Sequence, residues 1–264
     1  MKINILSIEG KVLKEREMPK QLNVAANPDL IKRAVLAEQA NKRQAYGSME
    51  DAGKRASTYL SKRRRKYRGT YGIGQSRTPR KVMSRRGERI NYVGAFAPQT
   101  VGGREAHPPK PGRIWDLKIN KKEKLKAMFS AIRASLDKKI VAARGHNVPE
   151  NYPFVIESKI EEVAKTKDVK TILEKVGLNN ELSRLTVKIR AGKGKMRNRK
   201  YRENKGPLII VSKDCNLLKS ARNLLGVEVI KVNDIRIEHL APGAAMGRLT
   251  IFSEEALNHI PKVE

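Results

Sequence analysis

Arginine and lysine side chains crowd the stretch from Gly47 to Arg113, and their chemistry suits a polyanion. The stretch contains 17 basic and four acidic residues. Arginine predominates, and its planar guanidinium group can grip a phosphate through two hydrogen bonds and stack on a base. Tyrosines stand between these cations and suit stacking on unpaired bases. The pattern predicts a surface that binds folded RNA.

The candidate RNA contacts fall into two basic runs, and the second run repeats the mixture of cations with glycine and tyrosine. The candidates of the first run are Arg63, Arg64, Arg65, Lys66, Tyr67, Arg68, Tyr71, Arg77, Arg80, Lys81, Arg85, Arg86, Arg89, Arg104 and His107. The candidates of the second run are Lys193, Lys195, Arg197, Arg199, Lys200, Tyr201 and Arg202. The alternatives are a solvated charge run or localisation signal for the first run, and a solvated loop for the second.

A glycine-rich segment within the first run is the candidate for its tip. Glycine allows a backbone to approach a crowded surface closely. The tip candidates are Gly69, Tyr71, Gly72 and Gly74. A dinucleotide-binding loop is a poor interpretation of this segment, because its glycine order differs from G-x-G-x-x-G and no strand precedes it.

The other reactive side chains do not form a pattern typical of an enzyme or a metal site. The four histidines are scattered, and the single cysteine, Cys215, excludes an internal disulfide and a multi-cysteine zinc site. Trp115 is expected to pack. We therefore expect no catalysis, no metal and no cofactor. An RNA-modifying or RNA-cleaving enzyme and a DNA-compacting chromatin protein remain the alternatives.

The overall charge points to the same class of partner. The chain has 264 residues and a formal net charge of +30. Such a protein repels itself unless a polyanion covers it, and nucleic acid is the first candidate. An anionic membrane is disfavoured because no apolar run approaches 18 residues. The absence of a signal-peptide pattern and the single cysteine fit a cytoplasmic protein, and no homo-oligomer is expected.

The elements that must position the basic runs have the pattern of an α/β body. A hairpin is predicted over 3–8 and 11–15, and a helix from Pro28 to about Gln44 with Asn27 as its cap. A second helix is predicted from Asn120 to Arg144, stopped by Gly145. Four short apolar runs then predict buried strands. They lie at 154–156, 207–211, 227–230 and 249–252.

Strands that alternate with helices predict an α/β fold with a mainly parallel four-stranded sheet and helices on both faces. The globular body is predicted to comprise residues 1–46 and 114–264. Residues 47–113, called the arm below, contain few large aliphatic residues and keep no regular period. The arm is therefore predicted to be a long, extended, irregular loop inserted after the first helix.

Four segments give the chain a family resemblance. They are Arg-Lys-Tyr-Arg-Gly at 65–69, Gly-Gly-Arg-Glu-Ala-His-Pro-Pro-Lys at 102–110, Lys-Tyr-Arg at 200–202 and Leu-Ala-Pro-Gly-Ala-Ala-Met-Gly-Arg-Leu-Thr at 240–250. With them the whole chain resembles the universal L-four family of large-ribosomal-subunit proteins, in its archaeal and eukaryotic branch. The segments around His107 and from Leu240 to Thr250 are the most specific.

The resemblance implies a structural component of the large ribosomal subunit that binds and helps to fold large-subunit rRNA. It implies an α/β body on the solvent side, and an arm that penetrates the rRNA as far as the wall of the nascent-peptide exit tunnel. The glycine-rich tip would then lie at the tunnel. The implied partners are the rRNA and neighbouring subunit proteins, including the L-twenty-two family protein.

Overall fold

The chain divides into two units, which are described separately. A computed structural model describes residues 2–52, 55, 58, 60–66, 69–72, 74–87 and 89–260. The body unit comprises the residues up to Lys42 together with those from Asp116 onward. The arm unit comprises Arg43–Trp115.

Ten strands and eight α-helices make up the regular structure of the described residues. The strands are β1 (Lys2–Leu6), β2 (Val12–Glu17), β3 (Arg80–Arg86), β4 (Arg89–Gly94), β5 (Phe154–Ile156), β6 (Val187–Ile189), β7 (Tyr201–Glu203), β8 (Leu208–Val211), β9 (Glu228–Lys231) and β10 (Thr250–Ser253). The helices are α1 (Pro28–Asn41), α2 (Lys121–Ser135), α3 (Lys138–Ala143), α4 (Thr166–Leu173), α5 (Asn179–Arg184), α6 (Leu217–Ser220), α7 (Ile237–Leu240) and α8 (Glu254–Asn258).

Six of these strands form the central sheet of the body unit, in the order β2-β1-β5-β10-β8-β9. All neighbours pair in parallel except β1 and β2, so the mainly parallel sheet predicted from the sequence is confirmed. The predicted count of four strands was too low. The amino-terminal hairpin joins the sheet because Asn4–Leu6 pair with Phe154–Ile156. Its apolar alternation predicted a hairpin but carried no signal for this distant neighbour.

The aliphatic strands bury side chains on both faces of the sheet. Leu208 and Ile210 of β8 belong to one apolar cluster, whereas Ile209 and Val211 belong to the other. Residues of α1 and α2 complete the first cluster, and residues of α4 and α6 complete the second. Because successive side chains of a strand point to opposite faces, the helices cover both faces, as predicted.

The start of α1 follows its sequence signals. Asn27 accepts a hydrogen bond from the Leu30 amide at 3.1 Å, and Pro28 occupies the first turn. Proline fits there because its missing N–H has no intrahelical partner in any case. The predicted cap is confirmed, although α1 ends at Asn41, three residues before the predicted end.

The predicted helix from Asn120 to Arg144 is two helices. α2 ends at Ser135, and the Asp137 carboxylate accepts from the Lys139 amide at 2.9 Å to begin α3. Such a short acidic side chain caps a new helix in preference to continuing an old one. Gly145 follows with φ +98°, the left-handed conformation expected after a helix. No described helix combines the length and the apolar character that crossing a membrane requires.

The arm unit contains a hairpin where the sequence predicted an irregular loop. β3 and β4 pair antiparallel, and Gly87 in the connection has φ +60°. Tyr92 and Val93 are residue types that favour strands. The cations between and beside such residues concealed a strand pattern, because arginine can sit on a solvated strand face as readily as in a loop.

Candidate nucleic-acid interface

The first cluster of predicted contacts lies on a closed loop of the arm unit. The Ser61 carbonyl accepts hydrogen bonds from Thr70 through the backbone N at 3.2 Å and Oγ1 at 2.9 Å. The Gly69 amide donates to the Lys66 carbonyl at 2.9 Å. All five cations from Lys62 to Lys66 are exposed. Backbone bonds thus hold the loop so that the predicted Arg63, Arg64, Arg65 and Lys66 face solvent; the predicted Tyr67 and Arg68 lie outside the described residues.

The candidate tip follows this loop, and its tyrosine is held by an arginine. Arg77 donates to the Tyr71 hydroxyl at 3.2 Å, with its guanidinium carbon 5.4 Å from the ring centroid. Gly72 and Gly74 both have positive φ and open space around them. The segment therefore turns through backbone conformations that only glycine adopts readily. A second predicted contact, Arg80, donates to the Ser76 carbonyl at 2.6 Å and its hydroxyl at 2.7 Å.

The β3–β4 hairpin gathers three predicted contacts on one face. Side chains alternate between the two faces of a strand, so Arg89, Asn91 and Val93 of β4 share one face. Their partners on β3 are Arg86, Ser84 and Lys81, which lie on the same face of the hairpin. A bulge at Met83 lets Lys81 and Arg86 share that face, which simple alternation along β3 would forbid. Arg89 joins them from β4.

Arg85 lies on the other face of the hairpin, where its Nε donates to the Gly87 carbonyl at 3.3 Å. The last two predicted contacts of the first run come after the hairpin. Arg104 is half-buried and His107 is exposed. A tight turn precedes them, in which Thr100 Oγ1 donates to the Ala97 carbonyl at 2.7 Å. A Cβ atom at Gly103 would lie 1.8 Å from that same carbonyl oxygen, so this position requires glycine.

The second basic run forms a hairpin of the body unit. β6 pairs with β7, and a 3₁₀ turn at Lys193–Arg197 lies between them. Gly192 and Asn198 flank the turn with positive φ. The Arg199 amide donates to the Gly194 carbonyl at 3.1 Å, which closes the loop. All seven predicted contacts of this run lie in the hairpin, and all seven are exposed.

An open groove of about 590 Å³ brings several of these residues together. It is lined by Arg190, Lys195, Asn198, Arg199, Lys200 and Tyr201. Lys200 Nζ lies 5.4 Å from the Tyr201 ring centroid. Cationic and amide donors beside an aromatic ring suit a phosphate and its nucleoside.

Arg190 is a groove residue that the sequence prediction missed. Its Nε donates to the Arg199 carbonyl at 3.1 Å and its backbone amide to the Lys200 carbonyl at 2.8 Å. It therefore shapes the loop as well as lining the groove. Its position three residues before Lys193, directly after the strand that precedes the basic run, was the available signal.

Other charged side chains of the body unit have a structural role. Arg248 is fully buried, and its guanidinium donates to the Gly206 and His239 carbonyls, both at 2.9 Å, and to the Glu228 carboxylate at 2.6 Å. It belongs to the 240–250 segment that was singled out in the sequence. That segment therefore includes a residue that ties the start of β8 to β9 and α7.

A buried carboxylate, Glu181, joins α5 to the segment after α3. Its side chain accepts from Arg184 Nε at 2.9 Å and from the Asn147 amide at 2.8 Å, and it lies 2.7 Å from His146 Nδ1. Burial alone would raise the pKa of Glu181, but these hydrogen bonds outweigh it and lower the pKa to about 2. The described residues contain no group of three or more histidine, cysteine or acidic side chains placed to hold a metal ion.

Comparison with known proteins gives a consistent result over nearly the whole chain. A family model described as "Ribosomal protein L4/L1 family" matches residues 17–263. The chain is 43% identical over 260 residues to the large ribosomal subunit protein uL4 of Nanoarchaeum equitans, covering 97% of this chain and 96% of that protein. It is 41% identical over 265 residues to uL4 of Methanosphaera stadtmanae, covering 98% and 96%. The corresponding protein of Methanocaldococcus jannaschii is 41% identical over 267 residues, with 98% of each chain covered.

Proposed function

The chain belongs to the ribosomal protein L4/L1 family, and from this premise we propose that it is a structural component of the large ribosomal subunit. In that role it binds and helps to fold large-subunit rRNA in the cytoplasm. The similarity to archaeal uL4 proteins along nearly the full chain is the observation that carries the proposal. The alternative of an RNA-modifying or RNA-cleaving enzyme finds no support, because the relatives are named as subunit proteins.

The geometry supports RNA binding at three places. The loop from Ser61 to Thr70 displays five consecutive cations, the β3–β4 hairpin carries three on one face, and the groove beside Tyr201 combines cations with an aromatic ring. Cations on closed loops and hairpins lose little freedom when they meet a phosphate, because their backbone is already fixed. Each phosphate that they neutralise releases counterions and strengthens binding.

The arm is the part that we propose to penetrate the rRNA, with its tip at the wall of the nascent-peptide exit tunnel. Support comes from the family and from the glycines around Tyr71, two of which turn with positive φ and leave room around them. A narrow tip of this kind fits between RNA helices. The neighbouring protein proposed for this place is the L-twenty-two family protein.

Salt dependence tests the RNA-binding proposal. Affinity of the full chain for large-subunit rRNA should fall by roughly three to five decades between about 50 and 200 mM salt, if six to ten phosphates are neutralised. The chain should also sediment with large subunits in high salt. Nearly constant affinity over that range, or equal affinity for duplex DNA, would contradict the proposal.

Site-specific cross-linking tests the position of the tip. A photoreactive side chain at Tyr71 should cross-link to a nascent peptide stalled in the ribosome, and to the L-twenty-two family protein. The matched control carries the same group at Asn223, an exposed position of the body unit. Nascent-chain cross-links from Asn223 but not from Tyr71 would exclude the proposed path of the arm.

A further inference from the structure

Four side chains at the two sequence ends of the arm unit form a cluster with no assigned role. The Tyr46 and Trp115 rings stack with centroids 5.5 Å apart and planes 14° from parallel. The guanidinium carbon of Arg43 lies 3.8 Å from the Trp115 ring centroid, and that of Arg113 lies 4.2 Å from it. The sequence alone assigned only packing to Trp115. We call these four residues the base cluster.

The backbone beside the base cluster holds its two halves together. The Ser48 amide donates to the Pro109 carbonyl at 3.0 Å. A Cβ atom at Gly47 would lie 2.3 Å from the backbone nitrogen of Pro111, so the two chain segments are in direct contact. The cluster is therefore built by segments more than 60 positions apart in the sequence, and backbone contacts hold these segments together.

The base cluster offers hydrogen-bond donors without a matching acceptor. The indole Nε1 of Trp115 is buried and has no hydrogen-bond partner among the described residues. Arg43 donates to the Tyr46 hydroxyl at 3.1 Å, which uses only part of its donor capacity. Within the described part of the chain, no carboxylate is within ion-pair distance of Arg43 or Arg113. Buried donors in folded proteins are normally satisfied, so an acceptor is expected to approach this place.

We propose that the base cluster is an additional RNA site, at which a phosphodiester oxygen accepts from Arg43, Arg113 and the Trp115 indole. Stacking on the aromatic rings orients a guanidinium group and leaves its N–H edge available, and that edge matches a phosphate. Tyr46 is 48% exposed and offers a ring surface to the adjoining base. The inference rests on the proposed function, because it names a further contact for the same rRNA.

RNA is the ligand that best fits the surroundings of the cluster. A free phosphate would satisfy the donors but would leave the exposed face of Tyr46 unused. An acidic protein segment could match the two arginines, but the surrounding arm carries a large excess of cations that a polyphosphate chain covers continuously.

Trp115 is the only tryptophan in the chain, so its fluorescence reports directly on this site. The probe is large-subunit rRNA, titrated into the full-length protein at several salt concentrations. Emission from Trp115 should change in proportion to RNA binding. In the Arg43→Gln, Arg113→Gln variant, the slope of log K against log salt should decrease by about 1 to 2, and most of the emission response should disappear.

Two further variants separate the effect of the planar guanidinium group from the effects of charge and of misfolding. Arg43→Lys with Arg113→Lys keeps both charges but loses the planar fork, so the salt slope should stay while the emission response falls. Lys213→Gln with Arg222→Gln removes two exposed cations of the body unit and should leave the emission response unchanged. Circular dichroism of each variant checks that it has folded.

The outcomes distinguish this inference from the proposed function. If the unmodified protein does not bind rRNA in a salt-dependent way, the proposed function fails. If it binds, but the Arg43→Gln, Arg113→Gln variant keeps both slope and emission response, only the base-cluster site is excluded. An emission change that saturates with inorganic phosphate but not with rRNA, or that requires other subunit proteins, also overturns it.

Discussion

Cations in the body unit and cations in the arm unit have different partners. In the body unit, carboxylates neutralise many of them, as Asp214 does for Lys231 at 2.6 Å and Glu228 for Arg248 at 2.6 Å. In the arm unit the described partners are carbonyls, hydroxyls and aromatic rings, as with Arg77 on Tyr71. These neutral partners fix where an arginine points without cancelling its charge.

This difference in partners separates the cations that stabilise the fold from those that are available to bind an anion. A guanidinium group paired with a carboxylate contributes to a fold, whereas one held by a carbonyl or a ring keeps its charge for an external anion. Arg248, which is fully buried and paired with a carboxylate, is of the first kind. The exposed cations from Lys62 to Lys66 are of the second kind. The same residue type therefore performs both tasks, and its neighbours decide which one.

Substitution of Arg248 should have the largest effect on stability. Arg248→Met removes the donors for the Gly206 and His239 carbonyls and one partner of Glu228. Loss of one member of a buried pair costs about 3–5 kcal/mol. The lower end is expected, because Glu228 is 32% exposed and also pairs with Lys205. Urea denaturation measures the free energy of unfolding.

The matched control is Arg222→Met, at an exposed position of the same unit. It should change the free energy of unfolding by less than about 0.5 kcal/mol. Equal effects of the two substitutions would show that burial does not divide the arginines into structural and binding groups.

Acidification should weaken the body unit through Glu181. Its pKa is lowered from 4.5 to about 2 in the folded chain, so its contribution is fully present above pH 4.5 and is lost as the pH falls towards 2. That contribution is on the order of 3 kcal/mol. The stability difference between the unmodified protein and Glu181→Gln should therefore shrink over this range in chemical denaturation. A constant difference would mean that Glu181 does not carry this pH dependence.

The sequence predicted the parallel core well because each element there has a local signal. The apolar run Leu208–Val211 indicated a strand covered on both faces, and Asn27-Pro28 indicated the start of a helix. Pairing across the chain has no local signal, which explains why the hairpin β1–β2 was separated from the sheet. The break before Asp137 was missed because the apolar period continues through it.

The candidate contacts were predictable as residue types but not as a surface. Counting cations found the loop around Arg64, yet it could not show the bulge at Met83 that places Lys81 and Arg86 on one face. Nor could it show that Arg80 is engaged by Ser76 or that Arg43 meets Trp115. Those properties depend on backbone register and on contacts between distant segments.

Removal of arm cations should weaken RNA binding and leave stability unchanged. The Arg63→Gln, Arg64→Gln, Arg65→Gln variant should reduce the slope of log K against log salt by about 2 to 3, and the affinity by about one to two decades. The free energy of unfolding should stay within about 0.5 kcal/mol. The corresponding lysine variant keeps the charge and should keep the slope. A loss of stability in the glutamine variant would show that these arginines stabilise the fold, as Arg248 does.

The smallest predicted effect concerns the shape of the arm and not its charge. Gly103→Ala would place a Cβ atom 1.8 Å from the Ala97 carbonyl oxygen and 2.8 Å from the Thr100 carbonyl oxygen, so the turn must shift. The expected cost is at least about 1 kcal/mol, or roughly fivefold in rRNA affinity, because the added methyl group meets backbone atoms that must move to accept it. The control is Gly112→Ala in the same unit, where a Cβ atom meets nothing within 4 Å. If both variants bind rRNA as the unmodified protein does, the fixed shape of this turn contributes nothing to binding, and the cations of the arm act through charge alone.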